Sequence, residues 1–281
     1  MNKMTELAQE NEENYARYLK RMTQSINFST KGLIPWLASR YGRILDVGCG
    51  SGVVMDALKA LNPSAQIVGI DLNEEAVKQC NAQRPDLDIR YCDIYEMDEK
   101  FDCIIFSSVL HEVSSYAQDP ALRFTAAPIL NMLRKAHSLL KEGGIVIIRD
   151  GLAHEGNRKV LLKMSDPNED RWIERFAAES GAYAHEQVKR EGEYWRVSEK
   201  FMQEFICTYT WGETSWPREV LEKFGILDEE EWKQTVREAG FGIASCMCAL
   251  EEYEKYMGDK VVIREGSFPE AFTILLTAKK K

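Results

Sequence analysis

From residue 42 to 150 the chain alternates short apolar runs with stretches long enough for a helix, the pattern of a parallel sheet built from repeated strand-helix units. Ile44-Leu45-Asp46-Val47 reads as a first strand. It opens into the turn Gly48-Cys49-Gly50-Ser51-Gly52 and then into the helical pattern Val53 to Leu58. Gln66 to Asp71 reads as a second buried strand with an acidic end, Phe101 to Phe106 as a fourth and Ile145 to Ile148 as a fifth. Further on, Asp228 to Ala239 predicts a helix ending at Gly240, with glutamates in its first turn set against the helix dipole. Two last strands follow around Ile243 to Leu250 and Ala271 to Ala278. Four regions result: an N-terminal helical cap at 1–30, a nucleotide-type core at 31–150, an insertion at 151–227, and a return to the core at 228–281. In the cap, Tyr15, Tyr18, Leu19 and Met22 make an apolar stripe.

The glycine turn carries the first chemistry. Glycines at alternate positions let a ligand approach the backbone, and the amides that start the next helix favour an anionic group. A carboxylate at Asp71 stands where it would accept hydrogen bonds from ribose hydroxyls. A dinucleotide fingerprint would place a third glycine inside the helix. This chain instead has Asp46-x-Gly48-x-Gly50-x-Gly52, with an acidic residue ahead of the first glycine.

That pattern resembles motif I of the class I S-adenosylmethionine-dependent methyltransferases, and the later landmarks Arg90-Tyr91-Cys92-Asp93-Ile94, Phe101 to His111 and Leu139 to Ile148 follow in that family's order. The resemblance implies an α/β, Rossmann-like sheet of seven mostly parallel strands whose last hairpin is antiparallel, with a helical lid inserted after the fifth strand. It implies S-adenosylmethionine as cofactor and S-adenosylhomocysteine as product. It assigns Asp46, Gly48 and Gly50 to the methionine end, Asp71 and Leu72 to the ribose, Asp93 and Ile94 to the adenine, and Ser107 to the exit of the fourth strand.

Composition narrows the class further. With 281 residues, 44% of them apolar, the chain can bury one substantial core and a small second lobe. No apolar run approaches the roughly 20 residues of a membrane span, and the polar stretch Met1 to Asn14 does not read as a signal peptide, so a cytoplasmic location is expected. Seven cysteines without C-x-x-C spacing read as reduced thiols, with neither disulfide nor zinc expected. Cys246 and Cys248 should face one side of a strand, where packing is the expected role. The net charge of -9, relieved only by Lys279-Lys280-Lys281 and the small clusters Arg17 to Arg21 and Lys189-Arg190, disfavours a nucleic-acid partner.

The insertion holds Trp172, Trp195, Trp211 and Trp216 with seven Phe and Tyr residues, which suggests a lid over a small-molecule acceptor. The same aromatics could build the lobe's own core or a homodimer surface. For catalysis, His111 just past the fourth strand is the candidate general base, with Glu112 as a weaker substitute. Arg149 is the candidate clamp for an acceptor carboxylate or phosphate, or equally a partner for Asp150 or Glu155 that holds the insertion in place. Tyr194 and Arg196 are further candidates. The absence of Asn/Asp-Pro-Pro-Tyr, of a Pro-Cys pair and of a magnesium-binding aspartate set favours metal-independent O-, N- or C-methylation of a small molecule. An RNA-modifying enzyme and a non-catalytic scaffold are the alternatives, with a dinucleotide oxidoreductase behind them.

Overall fold

The computed structural model describes residues 29–154, 156, 158–184, 186, 188–251 and 257–281; the stripe Tyr15, Tyr18, Leu19 and Met22 and the basic cluster Arg17 to Arg21 lie outside them. A short helix α1 (Ile34–Ala38) leads into β1 (Arg43–Val47). The units β1–α2 (Val53–Leu61), β2 (Gln66–Asp71)–α3 (Glu74–Gln83), β3 (Asp88–Tyr91) and β4 (Phe101–Ser107) follow. Helices α4 (Leu110–Ser115) and α5 (Ala126–Leu139) then lead to β5 (Leu140–Gly151). After an inserted lobe come α9 (Glu229–Glu238), β9 (Phe241–Ala249) and β11 (Thr273–Lys280).

The main sheet has seven strands in the order β3-β2-β1-β4-β5-β11-β9. The first five are parallel, and β11 runs antiparallel between β5 and β9. Strand order reverses between β1 and β4, which opens a crevice at their carboxyl ends where sheets of this kind bind ligands. Successive strand residues point to opposite faces and divide the core in two. Leu45, Val47, Ile104 and Phe106 pack beneath α5 and α9, whereas Ile44, Cys103, Ile105 and Ile147 pack beneath α1, α2 and α3. Each such side chain, fully buried, contributes about 1.5–3 kcal/mol. Both faces are therefore covered, which explains why the strands read as continuous apolar runs rather than alternating ones.

The inserted lobe contains a sheet that the sequence reading did not anticipate. β6 (Lys159–Met164), β7 (Lys189–Glu191), β8 (Tyr194–Ser198) and β10 (Val261–Glu265) form an antiparallel sheet in the order β10-β6-β8-β7. Helices α6 (Arg171–Glu179), α7 (Glu199–Thr210) and α8 (Trp216–Glu219) pack on it. One strand of this sheet, β10, comes from between β9 and β11, so the C-terminal region serves both parts of the molecule. Trp172, Phe176, Phe201, Phe205 and Trp216 meet in one cluster of mostly edge-to-face and tilted rings. The aromatic density of the insertion thus fills the lobe's own interior, as a small sheet with three helices requires.

Candidate functional site

The crevice at the strand-order reversal is a cleft of about 600 Å³. Its floor is the glycine turn. The amides of Gly48 and Cys49 donate to the Ile70 carbonyl (2.8 and 3.1 Å), folding the end of β1 back against β2. Gly48 has φ 67°, and a Cβ there would lie 2.6 Å from Val109, so both the turn and the close approach of the next loop require glycine. The Gly50 amide donates to Asp71 Oδ2 (2.9 Å), and the Asn73 amide donates to Asp71 Oδ1 (2.9 Å). Asp71 is therefore held on both oxygens with acceptor capacity left facing the cleft. Burial pushes its carboxyl up while the two amide donors pull it down.

Leu72 lines the cleft beside Asp71, and Asp93 and Ile94 line it farther along. Asp93 is fixed by accepting from the Tyr95 amide (3.0 Å), which caps a single helical turn, Ile94–Glu96. A bare turn, a tethered carboxylate and a second carboxylate next to an apolar side chain suit the sugar, the amine and the flat base of a nucleoside. Asp46 lies beneath this floor rather than in its wall, 2% exposed, where burial raises its carboxyl to about 7 against the pull of Lys31. Ser107 is likewise buried behind the wall, and its neighbour Ser108, at φ 59°, lines the cleft instead.

Of the two roles expected for Arg149, acceptor clamp or structural ion pair, its contacts are those of the second, with Glu251 as the partner. Its guanidinium donates to Thr30 Oγ1 (3.2 Å) and to Ser108 Oγ and pairs with Glu251 (3.4 Å). Neighbouring positions on a strand face opposite ways, so the residue that turns toward α4 is Asp150. Asp150 Oδ2 accepts from the Leu110 amide (2.8 Å), and Asp150 Oδ1 meets His111 Nδ1 at 2.6 Å.

His111 lies one layer behind the cleft, 4% exposed, stacked on Phe224 of the lobe with ring centroids 5.0 Å apart. Its Nε2 faces Glu222 Oε2 at 3.5 Å. Burial opposes charge on the ring, but Asp150 and Glu222 outweigh it and hold the imidazole well above its usual range, while His111 in turn keeps the Asp150 carboxyl low. Both ring nitrogens face carboxyl groups of the protein, Asp150 on one side and Glu222 on the other, so neither is turned toward the cleft to take a substrate proton.

The far end of the cleft is formed by Glu112, Val113 and Tyr116 of the α4 region, Leu122, Met132 of α5, and Arg218 and Glu222 from the lobe. Tyr116 Oη donates to Glu222 Oε1 (3.0 Å). Burial raises Glu112 to about 8, with the Glu222 charge adding to it. Glu219, buried beside them, is also pushed to about 8, first by burial and then by Glu222. Glu222 went unnoticed in the sequence, since no motif or local spacing joins it to α4. Tyr194 and Arg196, the lobe candidates, are not in this wall; Arg196 pairs with Glu191 (2.9 Å) and Glu265 (3.3 Å).

This fold, with its glycine turn and ribose-type carboxylate, is the Rossmann-like fold of class I methyltransferases. A family model described as a methyltransferase domain matches residues 39–240, and the chain belongs to that family. Among curated relatives, it is 31% identical over 108 residues to the ribosomal RNA small subunit methyltransferase C of Shewanella amazonensis, covering 37% of this chain and 32% of that protein. It is 32% identical over 112 residues to the ubiquinone biosynthesis O-methyltransferase of Ruegeria pomeroyi, covering 37% and 39%. The chain thus spans about a third of the length of the curated relatives it matches. Among solved structures, it superposes with a TM-score of 0.53 and 12% identity on NcsB1, an O-methyltransferase from neocarzinostatin biosynthesis in complex with S-adenosyl-L-homocysteine and 1,4-dihydroxy-2-naphthoic acid; the match covers 95% of this chain and 58% of that one. No helix among the described residues is long and apolar enough to cross a membrane.

Proposed function

We propose that this protein is an S-adenosylmethionine-dependent methyltransferase acting on a small-molecule acceptor, with Glu112 as the group that takes the acceptor's proton. The observation that carries the reading is the continuity of one cleft from the Gly48–Gly50 turn and Asp71 to the carboxyl groups of Glu112 and Glu222. S-adenosylmethionine supplies the methyl group and leaves as S-adenosylhomocysteine. Asp71 accepts from the ribose hydroxyls, Asp93 from the adenine amine, and Ile94 and Leu72 give apolar contact. Val113, Leu122 and Met132 hold the acceptor, since in-line displacement depends chiefly on keeping a nucleophile on the axis of the breaking bond. A carboxyl group with its pKa near 8 is well matched to removing a proton close to neutral pH. His111 acts one step removed: with its nitrogens facing Asp150 and Glu222, it positions Glu222 and closes the cavity behind it.

The relatives named as ribosomal RNA methyltransferases support a second reading, in which the acceptor is RNA. The far end of the cleft argues against it, because among its lining residues Asp119 and Glu222 would face the phosphates of a nucleic acid with Arg218 as the basic group beside them. The deciding experiment is calorimetric titration with S-adenosylmethionine and S-adenosylhomocysteine, NAD serving as control, followed by transfer of labelled methyl to a panel of phenols, amines and heterocycles and to total RNA. Binding of both S-adenosyl compounds with label in a small molecule is the expected result. Label confined to RNA would replace the acceptor assignment, and absence of S-adenosyl binding would favour a scaffold.

A further inference from the structure

The edge strand β9 carries two thiols, Cys246 and Cys248, on the side that faces the first turn of α9. There Cys248 Sγ lies 3.4 Å from Glu229 Oε2 and Cys246 Sγ 3.8 Å from Glu229 Oε1. The sulfur and oxygen donor atoms of these three residues lie within 4.8 Å of one another. We propose that Glu229, Cys246 and Cys248 form a binding site for a single thiophilic divalent cation of the Zn²⁺ type, separate from the nucleoside cleft.

The spacing is what the coordination chemistry demands. Zn–S bonds of about 2.3 Å and Zn–O bonds of about 2.0 Å at a tetrahedral angle put sulfur and oxygen about 3.5 Å apart and two sulfurs about 3.8 Å apart. The 3.4 Å separation is close to that value and the 3.8 Å one, to the other carboxylate oxygen, is slightly long, so closing on one ion calls for rotation of these side chains. A disulfide is the competing use of a thiol pair. Residues two apart on a strand have Cα atoms about 6.8 Å apart, at the far limit for a disulfide, whereas a bridging cation tolerates that span. All three residues are half-buried, leaving one coordination position open to water. Lys233 now sits 2.6 Å from Glu229 Oε1, and it has a second partner in Glu230 at 2.7 Å, so the carboxylate can be released to a cation without stranding the ammonium. On binding, both thiols lose their protons to solvent: the divalent ion, two thiols and one carboxylate give a complex of net charge -1 and two protons. The ion would tie the start of α9 to the outer strand of the sheet.

The test uses the reduced full chain, stripped of metal and titrated with Zn²⁺ against a chromophoric chelator, with proton release read from the buffer dependence of the heat. The expected result is one Zn²⁺ per chain, about two protons released and a higher melting temperature with the ion. Titration with Co²⁺ should give a thiolate charge-transfer band. The double variant C246S/C248S should lose the band and the Zn²⁺-dependent rise in melting temperature, and Glu229→Gln should weaken binding roughly tenfold or more. Both variants should bind S-adenosylhomocysteine as the parent does, which reports their folding independently. A parent chain that fails to hold Zn²⁺ at micromolar free ion overturns the proposal, as does a double variant that binds as tightly or a Glu229→Gln variant with unchanged affinity.

Discussion

At the residue scale, Asp71 and Glu112 separate binding from chemistry. Asp71 accepts from the Gly50 and Asn73 amides, so shortening it removes both the charged hydrogen bonds to ribose and the brace on the glycine turn. Asp71→Ala is expected to weaken S-adenosylhomocysteine binding by about 1–3 kcal/mol, measurable by calorimetry; unchanged affinity would remove Asp71 from the site. Glu112, with its pKa near 8, should confer a rate that climbs as pH rises through about 8, because only the ionised carboxylate accepts a proton. Glu112→Gln should flatten that limb and cut turnover by about 10²–10⁴-fold with cofactor affinity preserved. A pH–rate profile of the variant that keeps the parent's shape would shift the base to another group. His111 positions its neighbours, since both of its nitrogens are taken up by the carboxyl groups of Asp150 and Glu222.

At the scale of elements, α9 shows local sequence deciding local structure. Asp228 accepts from the Glu231 amide (2.9 Å) while the Glu231 side chain accepts from the Asp228 amide (3.0 Å), a reciprocal capping box. Trp232 and Val236 then bury on the sheet. Asp228→Ala should cost about 1 kcal/mol of unfolding free energy in denaturant titration, and a neutral result would mean that burial of Trp232 alone sets the helix start. The lobe strands show the opposite case. Val160, Leu162 and Met164 alternate with Lys159, Leu161 and Lys163, but the strand they form pairs with β8 and β10, segments far away in the chain. Periodicity over six residues was too short a signal to separate this strand from a helix inside an aromatic-rich stretch.

At the scale of the whole molecule, burial of carboxyl groups around the cleft links stability to pH. The pKa values of Asp46 at about 7 and of Glu112 and Glu219 at about 8 are raised, and that of His111 is also raised. Between the ordinary carboxylate range and about pH 8, the folded chain therefore binds more protons than the unfolded one, and stability falls as pH rises. Asp150 works the other way. Its lowered pKa gives stability above the ordinary carboxylate value that is lost as pH falls through the folded one. The melting temperature of the ligand-free protein should accordingly be higher near about pH 5.5 than near about pH 8.5. A melting temperature that rose over that interval would contradict the charge assignments around His111.

The strand-helix units and the nucleoside half of the cleft were legible in the chain because their determinants are local, and the seven-stranded order followed from the family resemblance that those motifs carry. A strand, its turn and the next helix are contiguous, and glycine at a position of positive φ or a carboxylate at a strand end marks itself within a few residues. The other half of the cleft, proposed to take the acceptor, was not legible. Tyr116 and Glu222 stand 106 residues apart and meet only because the lobe docks its α8 region against α4. Arg149 shows the same limit from the other side. Its place at the end of β5 was readable, but Glu251 and Thr30, which hold its guanidinium, are supplied by distant parts of the chain. By itself the sequence determined the individual strands, the turn and the carboxylate at the strand end, since those follow from backbone sterics and short-range periodicity, and their motif carried the resemblance that implied the sheet and the cofactor. The tertiary structure alone decided which ionisable groups lie against one another, and with that which carry charge and which can accept a proton, because burial and through-space Coulomb interactions depend on neighbours that chain order does not specify.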